Sequence, residues 1–225
     1  MTSRNLVRLF MSTLLVGGLT TAIVGLVVRW SELQPYFVDF QLKDIVSAIL
    51  WLVVMGFLFS AISQMGFFAY LTVHRFGLGI FKSASLWNGV QVILILFALF
   101  DLVYLRYNAF ADKGESILPY LGLAAAVLII GLTVSWFKKQ QTNQAAFIPA
   151  LFFMIVVTIV EWVPVLRVND SNWLYLMGVT LSICNAYQLL MLHKLNAQSE
   201  QERQNKALQK TNHKPSKKQT KKPSI

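Results

Sequence analysis

Long stretches without charge alternate with short polar breaks along this chain. Residues 9–28, 45–73, 83–100, 116–137, 140–160 and 171–192 hold no Asp, Glu, Lys or Arg, in runs of 20, 29, 18, 22, 21 and 22 residues. Crossing a hydrocarbon layer of about 30 Å takes about 20 residues of α-helix, at a rise of about 1.5 Å per residue. The runs are mostly apolar, so the pattern predicts an all-α polytopic membrane protein with six transmembrane helices, at about 6–28, 45–73, 83–104, 116–137, 146–166 and 173–193. No segment shows the alternation expected of a membrane β-barrel strand. Six soluble core helices of this kind would leave almost nothing to face water. The first run follows Arg4 and Arg8 as a signal peptide would, but its apolar stretch is long and no small-residue cleavage site follows, so an uncleaved first helix is expected.

The breaks predict orientation. With the N-terminus inside, segments 1–8, 74–82, 138–145 and 194–225 carry 15 Lys and Arg, whereas the opposite segments carry five: Arg29, Lys43, Arg106, Lys113 and Arg167. Lys and Arg set topology and acids count little, so both termini are expected in the cytoplasm of a cell-membrane protein. All connections are short. Segment 29–44 contains Trp30, Tyr36 and Phe37 and suits the membrane interface. Segment 74–82, HRFGLGIFK, reads as a tight turn through Gly77 and Gly79. No internal repeat supports the inverted plan of many secondary transporters.

Composition adds one thing to this picture. The chain is 56% hydrophobic and 13% charged, yet its formal net charge is +10. A soluble domain carries about a quarter of its residues as charges, so disorder, most soluble enzymes and a nucleic-acid-binding domain over the whole length are excluded. Residues 194–225 hold nine Lys and Arg against two acids, which makes the basicity mainly that of a tail. From Asn196 to Gln209 the tail is helix-permissive; Pro215, Pro223 and clustered Lys then argue for disorder. A basic cytoplasmic segment gains about 1 kcal/mol per Lys or Arg near anionic lipid. Lipid is therefore its expected partner, ahead of an acidic protein, and nucleic acid is not expected because the tail lacks stacking aromatics. The single cysteine, Cys184, excludes an internal disulfide.

Polar side chains within the spans are the first functional candidates. Asp101 and Glu161 sit at span ends, with Arg106 and Arg167 shortly after them. They read either as a proton or cation site in the outer leaflet or as interfacial carboxylates paired with those arginines. Ser60, Ser63, Gln64, Asn88, Gln91, Asn185 and Gln188 lie toward the cytoplasmic side and suit hydrogen bonding between helices. Gly56 with Ser60, Gly122 with Ala126, and Gly178 with Ser182 and Ala186 have the spacing that lets helices approach closely. His74 and His193, at inner span ends, read as interface residues rather than haem ligands. A metalloprotease HExxH, a Walker A loop, a nucleophile elbow and a CxxC pair are absent, so no catalytic residues, cofactor or metal ligands are expected.

Two stretches, SRNLVRLF at 3–10 and SQMGFFAYLTVHRFGLGIFKSASLWNGVQ at 63–91, resemble the KinB-signalling pathway activation family (KbaA) of endospore-forming bacilli. The resemblance extends over about residues 1–193. It implies a non-enzymatic integral membrane regulator that promotes the activity of the sensor histidine kinase KinB, and so the phosphorelay that starts sporulation. The family brings no catalytic residues. The second stretch suggests a candidate partner contact at Gln64, His74, Arg75, Lys82, Asn88 and Gln91, against the plainer reading that Arg75 and Lys82 only set topology. A small transporter or permease accessory with Asp101 or Glu161 as its coupling site is the alternative, and an intramembrane enzyme has the least support.

Overall fold

The structure, a computed structural model, describes residues 2–168 and 170–212, with the side chains of 206, 207 and 209–212 left out of the description. Among the described residues the ordered elements are all helical: α1 (Ser3–Val28), α2 (Trp30–Val38), α3 (Leu42–Phe81), α4 (Ala84–Phe110), α5 (Leu118–Gln141), α6 (Phe147–Phe152), α7 (Thr158–Leu166) and α8 (Ser171–Asn212). A 3₁₀ turn at Gln144–Ala146 leads into α6, and a π-helical turn at Phe153–Val157 joins α6 to α7. These four pieces make one helical passage, Gln144–Leu166, and six helices in all are long and apolar enough to cross a membrane.

Local chemistry sets the ends. Ser83 caps α4 by accepting from the Leu86 backbone N–H at 3.4 Å, and Asn143 accepts from Ala146 N–H at 3.1 Å. Asp170 Oδ1 accepts from the N–H groups of Asn172 and Trp173, at 2.8 and 3.2 Å, at the start of α8. Pro119 occupies the first turn of α5, where its missing N–H costs nothing.

Segment 74–82 is a correction to the sequence reading. It forms no tight turn: α3 continues as helix to Phe81 and stops at Lys82, whose φ of 50° lies in the left-handed region. Gly77 serves packing there, because a Cβ on it would lie 2.4 Å from the Trp87 indole of α4. The sixth helix does continue past the membrane-length segment, as its composition allowed, and α8 runs to Asn212. Disorder was expected after Gln209; α8 includes 210–212, and the rest of that segment, 213–225, lies outside the described residues.

α1, α3 and α8 form the central packed group, with α7 against α8, and α4 and α5 against the α6–α7 passage; α2 lies across one end between α1 and α3. Polar side chains of the spans turn inward beside an apolar core, and many outward faces are apolar. α1 buries Asn5, Thr13, Gly17, Thr21 and Gly25, while Leu15, Leu19, Ile23 and Val27 are more than 60% exposed. In water that surface would drive association; against hydrocarbon it is the favoured face. The fold fits a multi-pass membrane protein.

Candidate functional site

The most concentrated polar chemistry lies inside the bundle, where α3, α7 and α8 meet. Asn185 of α8 donates through Nδ2 to Thr158 Oγ1 at 2.9 Å and to Glu161 Oε2 at 2.8 Å. Ser63 of α3 donates to Asn185 Oδ1 at 2.6 Å and accepts from Gln188 Nε2, also at 2.6 Å. Next to Ser63 in α3, Gln64 donates to Ser60 Oγ, one turn back, at 3.2 Å. All seven side chains are buried.

This is a second correction. Glu161 was expected at the outer end of its span, as a proton or cation site or as an interfacial carboxylate, and the amide set toward the cytoplasmic side. Instead Glu161 is 7% exposed and bonded to Asn185. The reason is directional: a helical side chain leans toward the N-terminus of its own helix. Glu161 therefore reaches inward along α7, and Asn185, on the antiparallel α8, reaches toward it. The π turn contributes as well. One extra residue in a turn rotates the helix beyond it by about 100°, so the face that Glu161 presents depends on it. Gly66 leaves the room: a Cβ there would sit 1.7 Å from Glu161 Oε1. Acceptors outnumber donors in the cluster, and Glu161 Oε1, Gln64 Oε1 and Gln188 Oε1 have no partner among the described residues.

Asp101 is not paired with Arg106 either. It is half-buried, and Arg106 donates instead to the Leu166 carbonyl at 2.8 Å while its guanidinium lies 5.1 Å from the Phe110 ring centre.

A second constellation occupies the end of α3 and the start of α4. Trp87 Nε1 donates to His74 Nδ1 at 3.0 Å, and Gln91 Nε2 lies 3.4 Å from the same nitrogen. An indole N–H can only donate, so His74 Nδ1 is the acceptor and carries no proton. Of the six residues singled out for partner contact, the structure brings His74 and Gln91 together. Gln64 and Gln91 are buried, at 2% and 0% exposure, His74 and Asn88 are half-buried, and Arg75 and Lys82 are exposed. Arg75 edges a groove of about 350 Å³ shared with Phe68, Leu71 and Phe76. A Cβ on Gly79 or Gly89 would meet nothing within 4 Å, so packing inside this chain does not require either glycine. His193 is engaged elsewhere, with Nδ1 2.9 Å from the Leu190 carbonyl of its own helix.

Two features went unmarked by the sequence reading. Lys138, counted there as a topology determinant, is 7% exposed and donates to the Leu189 carbonyl of α8 at 2.6 Å. The first turn of α1 also grips the extension of α8. The Thr2 backbone N–H and Asn5 Nδ2 both donate to Ser199 Oγ, at 3.1 and 2.9 Å, and Arg4 pairs with Glu202. No spacing signal could have announced either. Lys138 looks like any basic residue at a span end, and the grip joins positions almost 200 residues apart.

Among the described residues no group of three or more His, Cys, Asp or Glu is placed to hold a metal ion. No solved structure matches this chain. The family model described as KinB-signalling pathway activation in sporulation matches residues 17–195. A curated relative from Bacillus subtilis (strain 168), named KinB-signaling pathway activation protein, is 49% identical over 197 residues, which cover 88% of this chain and 100% of the relative. The chain belongs to the KinB-signalling pathway activation family, and with it to sporulation signalling.

Proposed function

We propose that this protein is a multi-pass regulator of the cell membrane that raises the activity of a KinB-like sensor histidine kinase by contact between the two proteins, without catalysing a reaction itself. The observation that carries the reading is the likeness over the whole length of a relative named for activating KinB signalling. The fold supports it, since polar groups are spent on joining helices and the outer surface is apolar. Both termini face the cytoplasm in this reading, as the Lys and Arg distribution favours.

The contact lies at the α3–α4 end. Arg75 and Lys82 supply charge, Asn88 an amide, and Gly79 and Gly89 backbone that another helix can approach. His74 and Gln91 act from within by holding that end in shape, while Gln64 belongs to the cluster inside the bundle. The basic tail, residues 194–225, meets anionic lipid in this reading. Co-purification of the tagged full chain with the kinase from membranes tests the contact. Arg75→Gln combined with Lys82→Gln should lower both recovery of the kinase and signalling while insertion is unchanged; unaltered signalling would sink this contact.

One observation favours a second reading, in which Glu161 couples a cation or proton to a transport step: its Oε1 is buried without a partner. Solute uptake lost in Glu161→Gln, with kinase signalling intact, would select that reading over the first. Asp101, its companion in the sequence reading, is tied into no comparable cluster.

A further inference from the structure

At the end of the bundle opposite the termini, α2 folds across the α1–α3 pair and encloses a cleft of about 400 Å³. Small-molecule sites occupy roughly 300–1,000 Å³. Its floor is apolar, with Leu33 and Leu52 buried beneath it, and Trp51 forms a wall.

The polar groups of the cleft divide into engaged and free. Arg29 is engaged: its Nε and Nη2 donate to Glu32 Oε2 at 2.9 and 2.5 Å, and its guanidinium lies 5.1 Å from the Trp51 ring centre. Glu32 is engaged too, since its Oε1 accepts from Asn172 Nδ2 of α8 at 3.3 Å. Arg29 and Glu32 thus cancel each other's charge and pin α2 against the start of α8. Free among the described residues are the Asp44 carboxylate and the hydroxyls of Tyr36 and Ser47, all lining the same cleft. What remains on offer is one negative charge, two hydroxyl groups and the Tyr36 ring over an apolar floor, the Trp51 face being taken by Arg29. An ammonium group satisfies that set: it donates to carboxylate and hydroxyl oxygens, and it is attracted to aromatic faces. An anion would meet Asp44 with Arg29 already neutralised.

We infer that this cleft is a binding site for a primary ammonium group attached to an apolar body. The group can arrive on a small water-borne amine or on the ethanolamine headgroup of a phospholipid, and both carry the same chemistry to the same place. Occupancy bears on the regulator's own architecture. Leu52, in the floor, is the residue against which Gly25 of α1 packs, since a Cβ on Gly25 would lie 2.3 Å from Leu52 Cδ2. A ligand seated on Leu52 therefore presses on the α1–α3 seam. On the proposed orientation, on which its sidedness rests, the cleft opens outside the cell and gives the regulator an input that the kinase contact at the other end can read.

The test uses the purified full chain in nanodiscs of zwitterionic phosphatidylcholine, whose surface does not draw in cations, with 2-phenylethylammonium as the probe and 2-phenylethanol as its neutral counterpart. Binding is followed by saturation-transfer NMR of the probe. The amine should bind saturably and up to about fivefold tighter than the alcohol, the margin that an ion pair with the exposed Asp44 carboxylate supplies. Asp44→Asn should erase that margin and Asp44→Glu retain it, while Asp112→Asn, at a carboxylate that does not line the cleft, leaves it unchanged. Equal binding of amine and alcohol, a margin that survives Asp44→Asn, or absence of saturable binding overturns the assignment. Adding phosphatidylethanolamine to the discs separates the sources: weaker binding of the free amine identifies the headgroup as occupant, and unchanged binding identifies a water-borne amine. The kinase is absent throughout, so failure here leaves the kinase contact standing, and failure of co-purification leaves the cleft standing.

Discussion

Glycine is where single residues matter most in this bundle, and only some of its glycines matter. Gly56 and Gly17 face each other across the α1–α3 seam. A Cβ on Gly56 would lie 2.5 Å from the Gly17 carbonyl oxygen and 2.7 Å from the Gly18 Cα, and backbone cannot swing aside as a side chain can. Gly56→Ala should therefore cost about 1–3 kcal/mol, the range of overpacking in a filled interior, seen as a lower thermal midpoint in detergent. Gly122→Ala is the control. Nothing lies within 4 Å of its Cβ position, and its midpoint should not fall. At the polar centre, Ser63 and Asn185 share a 2.6 Å hydrogen bond. A double-mutant cycle of Ser63→Ala and Asn185→Ala, read by equilibrium unfolding, should return a coupling of about 0.6 kcal/mol and no more than about 1.7, the span measured for such bonds between membrane helices. A coupling of zero would mean that the bond does not hold α3 to α8.

At the scale of elements, the π turn at Phe153–Val157 decides which way α7 faces. Removing one residue from it, Val157 for instance, lets α6 and α7 join as a regular α-helix and turns Glu161 away from Asn185. Cys184 reports the outcome: it is free and fully buried in α8, next to Asn185 in the chain and with its sulfur against Gly17 of α1. The deletion should make its thiol reactive to maleimide in detergent, whereas the parent chain stays unreactive. A deletion variant that keeps Cys184 protected would show that α7 does not depend on the turn. The α3–α4 junction is held by other means, a left-handed residue at Lys82 and the indole of Trp87 lying on Gly77 with its N–H on His74. Long helices and a two-residue link make that end stiff, which suits the contact surface proposed there.

For the molecule as a whole, the extension of α8 belongs to the packed bundle. Leu195 is 2% exposed and Ser199 1%, and Ser199 takes two donors from the start of α1. Truncation after Lys194 should leave the buried Asn5 without its Ser199 partner and lower the thermal midpoint, while truncation after Asn212 should leave it unchanged. Equal midpoints for the two would show the grip to be incidental. Orientation is testable on a Cys184→Ser background. Cysteines at Asp39 and Lys113 should react in intact cells with a maleimide that does not cross membranes, and a cysteine at Gln198 should react only after permeabilisation. The reverse pattern would invert the topology and with it the side on which the cleft opens.

Six helices of membrane length were legible because the hydrophobic term is written residue by residue: an uncharged run of about 20 residues needs no partner to declare itself. The continuation of α8 was legible from local helix propensity, and the family from stretches 3–10 and 63–91. Close packing was half legible. Small residues at four-residue spacing mark a candidate seam, yet Gly122 faces open space, while Thr13, Gly17, Thr21 and Gly25, at the same spacing, line the buried side of α1. Spacing states which residues share a face, and says nothing of what that face meets. The rest was decided only in three dimensions. The meeting of Glu161 with Asn185, the burial of Lys138, the cleft beneath α2 and the grip of Thr2 and Asn5 on Ser199 each depend on the rotation and depth of one helix against another. Such quantities are set by packing between segments far apart in the chain, to which no single segment's pattern refers.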